Sequence, residues 1–363
     1  MNTDLLSKRI ELADPEQAMD YFFNMGWTDG LPVVPPTEQK VRSFLEAAHL
    51  DPQEILATIP ERNRIFSAEK VAVNAVMAGC LPEYFPVVVA AVRAMGRPEF
   101  GLHGATASTA GVGLLMVING PIVKQLGLNS GQNVLGPGNR ANATIGRALR
   151  LILVNLGGKE FDRGTIGHPG KYTYCLAEAE DTLWEPLHVT RGLGKEVSAV
   201  TLLAAEGPNQ VQNHSASKPE NLLNTLADRM RALGSFHMGG DCEGAVIICR
   251  EHYQTLISAH WKKEEVKHYL YKQARRTLAD LKRGGLIEAP IVPEDEQAWV
   301  SAVSSPDHIL LVVAGGEAGR FSAFIPGWAG RHMSKAVTLP VEPSCSGDIC
   351  ALPGLQLEPF KLT

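Results

Sequence analysis

Apolar and polar residues in the first hundred positions follow the period of amphipathic helices. PEQAMDYFFNMGW has helical spacing, TDGLPVVPPT interrupts it, and TEQKVRSFLEAAHL resumes it with Thr37 as N-cap. SAEKVAVNAVMAG predicts a third helix, capped by Ser67 and ended by Gly79, and LPEYFPVVVAAVRAM predicts a fourth packed against it. The proline pair before Thr37 fixes an extended connection between the first two helices. The spacing of the four segments predicts that the first hundred residues are mostly helical.

The next stretch changes from helical to mixed patterning. GLHGATASTAG, rich in small residues, predicts a tight turn or a short strand, and GLLMVING predicts a buried strand. NATIGRALRLILVNLGG returns to helical spacing, with Ile145, Leu149, Ile152 and Leu156 on one face. Gly157 and Gly158 should end that helix.

The second half alternates short apolar runs with helical segments. Three segments are predicted to be strands: SAVTLLAAEG, GAVIICREH and HILLVVAGGEAG. A helix, NLLNTLADRMRAL, is predicted between the first two strands. Two helices are predicted between the last two strands: HYQTLISAHW and KKEEVKHYLYKQARRTLADLKRGG. This order predicts βαβ units and an α/β fold of two lobes, with a mixed or largely parallel sheet and flanking helices. We place the N-terminal lobe at 1–192 and the C-terminal lobe at 193–363.

Composition and charge exclude several classes of protein. At 363 residues the chain is long enough for two lobes, and 45% hydrophobic with 20% charged residues is ordinary for a globular protein. A formal charge of -5 and a pI near 6.1 argue against nucleic acid and anionic membrane as partners. Neither a signal peptide nor a membrane span is apparent, so we expect a cytoplasmic protein whose six cysteines are thiols or ligands.

The most unusual passage is NSGQNVLGPGNRANATIGRALRL, from residue 129 to residue 151. A Gly-rich loop before a helix exposes backbone N–H groups and a positive dipole end, which favour an anion. It matches no nucleotide-binding fingerprint. The alternative is that the asparagines form turns and caps while the arginines are solvated. The predicted substrate-binding residues here are Asn129, Ser130, Asn139, Arg140, Asn142 and Arg147.

Candidate acid/base groups lie in loops, where catalytic residues concentrate. His103 lies among small residues, His168 lies between a glycine and a proline, and Lys171 follows closely. Asp29 lies in an Asp-Gly turn, and its carboxylate either faces a cleft or only forms the turn. AGGEAGRFSAFIPGW follows a predicted strand and offers Arg320 and Ser322 as further substrate-binding donors, unless it is only a tight connection.

Cysteine supplies a separate hypothesis. Cys80 follows one predicted helix and precedes another, whose N-terminal dipole would lower the thiol pKa, although a small buried side chain is the alternative. Cys345 and Cys350 occur in EPSCSGDIC, a spacing that matches neither a redox C-x-x-C motif nor a zinc pair. The cofactor is unknown from sequence, and a metal ion is not excluded.

Several of these segments together resemble a family. Five segments together resemble an uncharacterised bacterial protein family associated with UGSC-type (seleno)proteins. They are GWTDGLPVVPPT, EKVAVNAVMAGCLPEYFPVV, GLNSGQNVLGPGNRANATIGRALRL, GHPGKYTYC and AGGEAGRFSAFIPGW. The chain has no G-S-C motif and offers only Cys345-Ser346-Gly347, so no redox pair carries over. The resemblance implies that Cys80 and the passage from 129 to 147 belong to family motifs, and it implies no reaction.

The sequence therefore predicts an enzyme that acts on a small carboxylate-bearing metabolite by acid/base addition and elimination, as a lyase does, in a cleft between two lobes. One alternative is a thiol- or metal-dependent oxidoreductase centred on Cys80. Another is a non-catalytic subunit or binding protein. A homo-oligomer or a complex with a partner subunit is compatible with all three.

Overall fold

Helices and strands alternate through most of the chain, and the computed structural model describes residues 4–158, 162–238 and 241–342. The helices are α1 (Pro15–Asn24), α2 (Glu38–Ala47), α3 (Ala68–Met77), α4 (Phe85–Met95), α5 (Leu102–Ala107), α6 (Ile122–Gln125), α7 (Arg140–Leu156), α8 (Leu187–Thr190), α9 (Pro219–Met230), α10 (Arg250–Ser258), α11 (Lys263–Gln273) and α12 (Leu278–Arg283). The strands are β1 (Ile55–Ile59), β2 (Arg64–Ser67), β3 (Gly113–Asn119), β4 (Cys175–Ala177), β5 (Ala199–Ala205), β6 (Asn209–Gln212), β7 (Gly244–Ile248), β8 (Arg275–Thr277), β9 (Trp299–Ser301), β10 (Ile309–Val313), β11 (Phe321–Pro326) and β12 (Val337–Pro340). These elements form an α/β fold, as predicted.

Two four-stranded sheets form the centre of the molecule. Sheet 1 has the strand order β12-β5-β3-β4, and sheet 2 has the order β10-β7-β11-β6. β3 runs parallel to β4 and β7 runs parallel to β10, whereas the other pairs in these sheets are antiparallel. Both sheets are therefore mixed. Two short hairpins, β1 with β2 and β8 with β9, lie outside them.

The sheets pack face to face, and helices cover the outer face of each. Alternate residues of a strand point to opposite faces. Leu115 and Val117 of β3 accordingly share a buried cluster with Ala245 and Ile247 of β7, between the sheets. Met116 belongs instead to the cluster formed with α1 to α4 and α7. The outer face of sheet 2 packs in the same way against α9 to α11, giving a helix–sheet–sheet–helix arrangement.

The strongest helical predictions are confirmed. The Thr37 hydroxyl accepts a hydrogen bond from the Lys40 N–H and caps α2. The Asn139 side chain caps α7 by accepting from the Asn142 N–H, and Ile145 is fully buried on the predicted face. Ser67 occupies the N-cap position of α3 without a side-chain cap bond. Local spacing and cap chemistry agree with the tertiary fold in these helices.

Two local predictions are wrong. The small-residue stretch after Phe100 forms the short helix α5 instead of a turn or strand, because Gly101 at φ +65 lets the chain approach the Met333 carbonyl closely before the helix begins. The long helix predicted from 262 to 285 is broken by β8, which pairs with β9. There the Arg275 guanidinium stacks 4.4 Å from the centre of the Trp299 ring.

One of the two predicted βαβ units is present. β7, α10, α11 and β10 form it, and the two strands are parallel neighbours. The other is wrong because β5 pairs with β3 along its whole length in sheet 1, whereas β7 lies in sheet 2. Strands from both sides of the predicted division at 192 and 193 thus share sheet 1. Among the described residues, none of the helices is long and apolar enough to span a membrane.

Candidate functional site

A cleft of about 500 Å³ opens between loops that extend from the two halves of the molecule. One wall comes from the loop before β3 and from the loop that carries His168. The other wall comes from the turn after β5 and the segment after α9. The lining residues are Ser108, Thr109, Ala110, Gly167, His168, Glu206, Gly207, Gly234 and Phe236. Its size is typical of small-molecule sites.

Backbone pairing holds the first wall together. The Thr165 N–H donates to the Thr109 carbonyl at 2.8 Å, and the Asp162 N–H donates to the Thr106 carbonyl at 3.0 Å. Gly111 lies so close to Gly167 that a Cβ added at Gly111 would stand 2.7 Å from the Gly167 Cα. The glycines are needed here because the two loop backbones are in contact.

His168 is locked in position by glycines and by Tyr174. Its Nδ1 accepts from the Gly170 N–H at 3.2 Å, and its ring meets Tyr174 edge-on at 5.5 Å. Nε2 is buried and has no hydrogen-bond partner among the described residues. Burial lowers the pKa of His168, and the charge of Lys171 lowers it further. The nearby Ala205 carbonyl acts in the opposite direction, although it is not aligned for a hydrogen bond with Nε2. The imidazole is therefore neutral at pH 7, with the proton on Nε2.

Glu206 follows β5 and provides the carboxyl group of the cleft. Its Oε1 accepts from the Phe236 N–H at 3.1 Å and from the Ser235 hydroxyl at 3.4 Å. Oε2 has no hydrogen-bond partner within the described ranges. Burial raises the pKa of Glu206, while the Phe236 and Ser235 hydrogen bonds oppose the rise. A partly desolvated carboxyl with one free oxygen is a suitable proton acceptor or donor.

Ser108 provides a hydroxyl donor in the same cleft. Its Oγ accepts two hydrogen bonds, each of 3.1 Å, from the Ala110 N–H and the Trp328 indole N–H. A hydroxyl has two lone pairs and one proton. Since both lone pairs are occupied, Ser108 can offer only its proton to a bound molecule.

A charged cluster borders the cleft. Asp162 pairs with Lys171 and with Arg150 around a cavity of about 30 Å³, which Ser108 also lines. Burial acts to raise the pKa of Asp162, but the Lys171 and Arg150 hydrogen bonds and charges outweigh it, so the pKa is lowered. Of the predicted acid/base residues, His168 and Lys171 come together here, and Lys171 is held in an ion pair.

The asparagines of the 129 to 147 passage make hydrogen bonds within the passage and to neighbouring backbone. The Asn142 side chain accepts from the Asn129 N–H and donates to the Asn129 and Cys175 carbonyls. Asn129 bonds to Gly131 and Gln132, and Asn139 donates to the Gly127 carbonyl while capping α7. The turn-and-cap alternative thus describes these three side chains. Ser130 accepts from the Gly315 N–H through its carbonyl.

The arginines of this passage bond to the chain as well. Arg140 donates twice to the Gly79 carbonyl, at 3.2 and 3.1 Å. Arg147 forms a two-bond ion pair with Asp29, at 2.8 and 2.7 Å, and the Asp29 side chain is only 1% exposed. This pair ties the turn after α1 to α7. None of these groups lines the cleft, and a role in substrate binding stays a prediction for the passage.

Cys80 and His103 lie apart from the cleft. Cys80 is buried, its thiol donates to the Thr144 carbonyl at 3.3 Å, and burial raises the pKa of Cys80 to about 12. The expected lowering of this pKa is wrong because desolvation exceeds the stabilising effects of Thr144 and the nearby arginines. His103 lies on α5 instead of in a loop, and its Nδ1 accepts from Arg62 at 3.2 Å.

The other predicted substrate-binding residues, Arg320 and Ser322, form hydrogen bonds to distant parts of the chain. Arg320 donates to the Ala216 carbonyl at 2.8 Å. Ser322 lies within β11, is 3% exposed, and bonds to His252 and the Cys249 N–H. Cys345 and Cys350 lie outside the described residues. In the part that the structure describes, there is no group of three or more His, Cys, Asp or Glu side chains arranged to hold a metal.

Sequence reasoning missed Glu206 and Ser108. Glu206 is the next-to-last residue of the segment SAVTLLAAEG, and a carboxylate directly after a buried strand was the available signal. Ser108 had no signal of its own, because its partner Trp328 lies 220 residues away in sequence. Comparison with protein-family models and with the sequences of curated proteins finds no match.

Proposed function

We propose that this chain is an acid/base enzyme that catalyses addition to, or elimination from, a small carboxylate-bearing molecule in the cleft. The observation that carries the proposal is the pairing of Glu206 with Ser108 in one cleft. The first supplies a free carboxyl oxygen whose proton affinity is raised by burial, and the second supplies a hydroxyl that can only donate.

Each group has a defined task in an elimination. The ionised Glu206 Oε2 takes a proton from the carbon next to the substrate carboxylate, and the electrons of that C–H bond form a carbon–carbon double bond as the leaving group departs with its bonding pair. Negative charge builds on the substrate carboxylate in the transition state, and the Ser108 proton stabilises it. Addition is the reverse, with Glu206 returning the proton. A positioned general base contributes about 100- to 10,000-fold in rate.

His168 and Phe236 shape the cleft around these groups. The neutral imidazole, fixed by Gly170 and Tyr174, gives a rigid wall without adding charge. Phe236 is 43% exposed at the opposite side, and its backbone holds Glu206 in place. A bound substrate covering Phe236 would remove water from Glu206 and raise its proton affinity further.

A thermal-shift screen of small mono- and dicarboxylates tests where an anion binds, since a ligand that binds only the folded chain raises its stability. We expect the stabilisation to be lost in Ser108→Ala and kept in Arg140→Ala. Loss in Arg140→Ala alone would move the binding site to the passage from 129 to 147 and contradict the cleft.

Turnover is tested by proton exchange in D₂O. Stabilising carboxylates are incubated with the protein, and loss of the α-proton signal is followed by NMR. We expect exchange by wild type, a decrease of at least about 100-fold in Glu206→Gln, and no change in the exposed control Glu196→Gln. Exchange that survives in Glu206→Gln would refute the assignment of the base.

A further inference from the structure

The end of strand β11 contacts both groups that the proposed function uses. The Pro326 carbonyl accepts from the Glu206 N–H at 2.8 Å. The Trp328 indole N–H donates to the Ser108 Oγ at 3.1 Å. Gly327 lies between these two residues in the chain. The position of Glu206 relative to Ser108 therefore depends on how this strand end is held.

His237 is the side chain that bonds to the middle of this strand end. It is fully buried, and its ring meets the Phe324 ring edge-on, with 4.9 Å between the ring centres. Nδ1 lies 2.9 Å from the Ala302 carbonyl oxygen. Nε2 lies 3.1 Å from the Gly327 nitrogen and 3.1 Å from the Glu243 carbonyl oxygen. The ring thus contacts the backbone of three separate segments.

The protonation state of His237 follows from these neighbours. A proton on Nδ1 is donated to the Ala302 carbonyl and leaves the Nε2 lone pair to accept from the Gly327 N–H. A proton on Nε2 would set two acceptors against each other at Ala302 and two donors against each other at Gly327. Burial lowers the pKa of His237 to about 4, although the Ala302 and Glu243 carbonyls oppose the change, so the ring is neutral at pH 7. His237 therefore accepts from Gly327.

The backbone of His237 continues into the segment that holds the Glu206 side chain. The His237 N–H donates to the Ser235 Oγ at 3.3 Å. The Ser235 hydroxyl and the Phe236 N–H are the two donors to Glu206 Oε1, at 3.4 and 3.1 Å. One residue thus joins the donors on the Glu206 carboxyl group to the strand end that holds the Glu206 backbone.

We propose that His237 is a positioning residue for Glu206. The proposal rests on the proposed function only in taking Glu206 as the general base. The ring holds residues 235 to 237 against the end of β11, so the two donors stay directed at Oε1 while Oε2 remains free for the substrate. Loss of the ring should weaken both hydrogen bonds. Because both bonds lower the pKa of Glu206, its carboxyl group should then titrate at higher pH than in wild type.

NMR titration of the Glu206 carboxyl group in the full chain, labelled with ¹³C, provides the test. We expect the midpoint to rise by about 1 pH unit in His237→Leu, because a hydrogen bond to a charged group accounts for a change of that size. His237→Gln should lie closer to wild type, since its amide oxygen can accept from the Gly327 N–H. The matched control is His252→Leu, which removes another fully buried histidine, bonded to Ser322 and to the Asn213 carbonyl. It should leave the Glu206 titration unchanged.

Two outcomes would overturn the proposal: a Glu206 midpoint in His237→Leu equal to that of wild type, or an equal rise in His237→Leu and His252→Leu. Gly244→Ala decides the question if His237→Leu does not fold. Its added methyl group would stand 2.7 Å from Cε1 and 2.9 Å from Nε2 of His237, so it displaces the ring without removing it. An unchanged Glu206 midpoint in that variant would also overturn the proposal.

The titration needs no substrate, which separates this proposal from the proposed function. A Glu206 midpoint that responds to His237 supports the positioning role even if wild type exchanges no α-proton with any carboxylate. In that case the proposed function fails and the positioning role stands. Exchange by wild type together with a midpoint that ignores His237 gives the opposite result.

Discussion

The fit of His168 against Gly113 gives a prediction that can be worked out from distances. A methyl group added at Gly113 would lie 2.8 Å from Cε1 and 2.9 Å from Nε2 of His168, and 3.1 Å from the Tyr174 ring. Ordinary contacts to a Cβ begin near 3.4 Å. Gly113 is buried in β3 opposite Ala205, so the strand has little freedom to withdraw.

Gly113→Ala must therefore displace the imidazole or the strand. Overpacking of this kind costs about 1–3 kcal/mol of unfolding free energy. Chemical denaturation measures the loss, and NMR of the histidine ring protons reports the displacement of His168. The control Gly194→Ala, whose nearest neighbour would lie at 3.6 Å, should leave both unchanged. Wild-type stability and an unshifted His168 signal in Gly113→Ala would refute the packing argument.

Three other predictions concern charge and protonation. Because the pKa of Glu206 is raised in the folded state, ionisation of this carboxyl group favours the unfolded chain. Glu206→Gln should therefore be more stable than wild type at neutral pH. Chemical denaturation at decreasing pH should show that this advantage in unfolding free energy disappears. Removing either partner of the buried Asp29–Arg147 pair should lower the unfolding free energy by about 3–5 kcal/mol. In a double-mutant cycle, the loss in the double variant should be well below the sum of the two single losses, whereas additive losses would contradict the pairing. Cys80 should resist iodoacetamide in the folded protein at about pH 8, because its thiol is protonated and buried; rapid alkylation before unfolding would contradict this.

Sequence reasoning predicted the elements whose local signals agree with their tertiary setting. The Asn139 cap and the apolar face of α7 are examples, because cap chemistry and periodicity both lie within a few residues. It failed where a distant partner decides the structure. β8 interrupts a helical pattern because it pairs with β9, and β5 joins β3 instead of β7 because two mixed sheets stack face to face. Neither pairing has a signature within the segment itself.

The candidate site was predictable only in part. His168 and Lys171 were singled out from their loop, and the structure places both at the cleft or its border. The polar passage from 129 to 147 owes its composition to a different physical cause, since its asparagines satisfy backbone groups of their own loop. Ser108 and Glu206 acquire their chemistry from burial and from distant partners, and a single sequence does not encode those in any local pattern.

The proposed acid/base function requires a carboxyl group in the cleft that is partly desolvated and free to exchange a proton with a ligand. NMR titration of glutamate side-chain carboxyls labelled with ¹³C tests this most directly, with the Glu206 signal assigned from its absence in Glu206→Gln. We expect this signal to titrate above the ordinary range for glutamate and to shift when a stabilising carboxylate is added. A Glu206 signal that titrates in the ordinary range and ignores the ligand would contradict it.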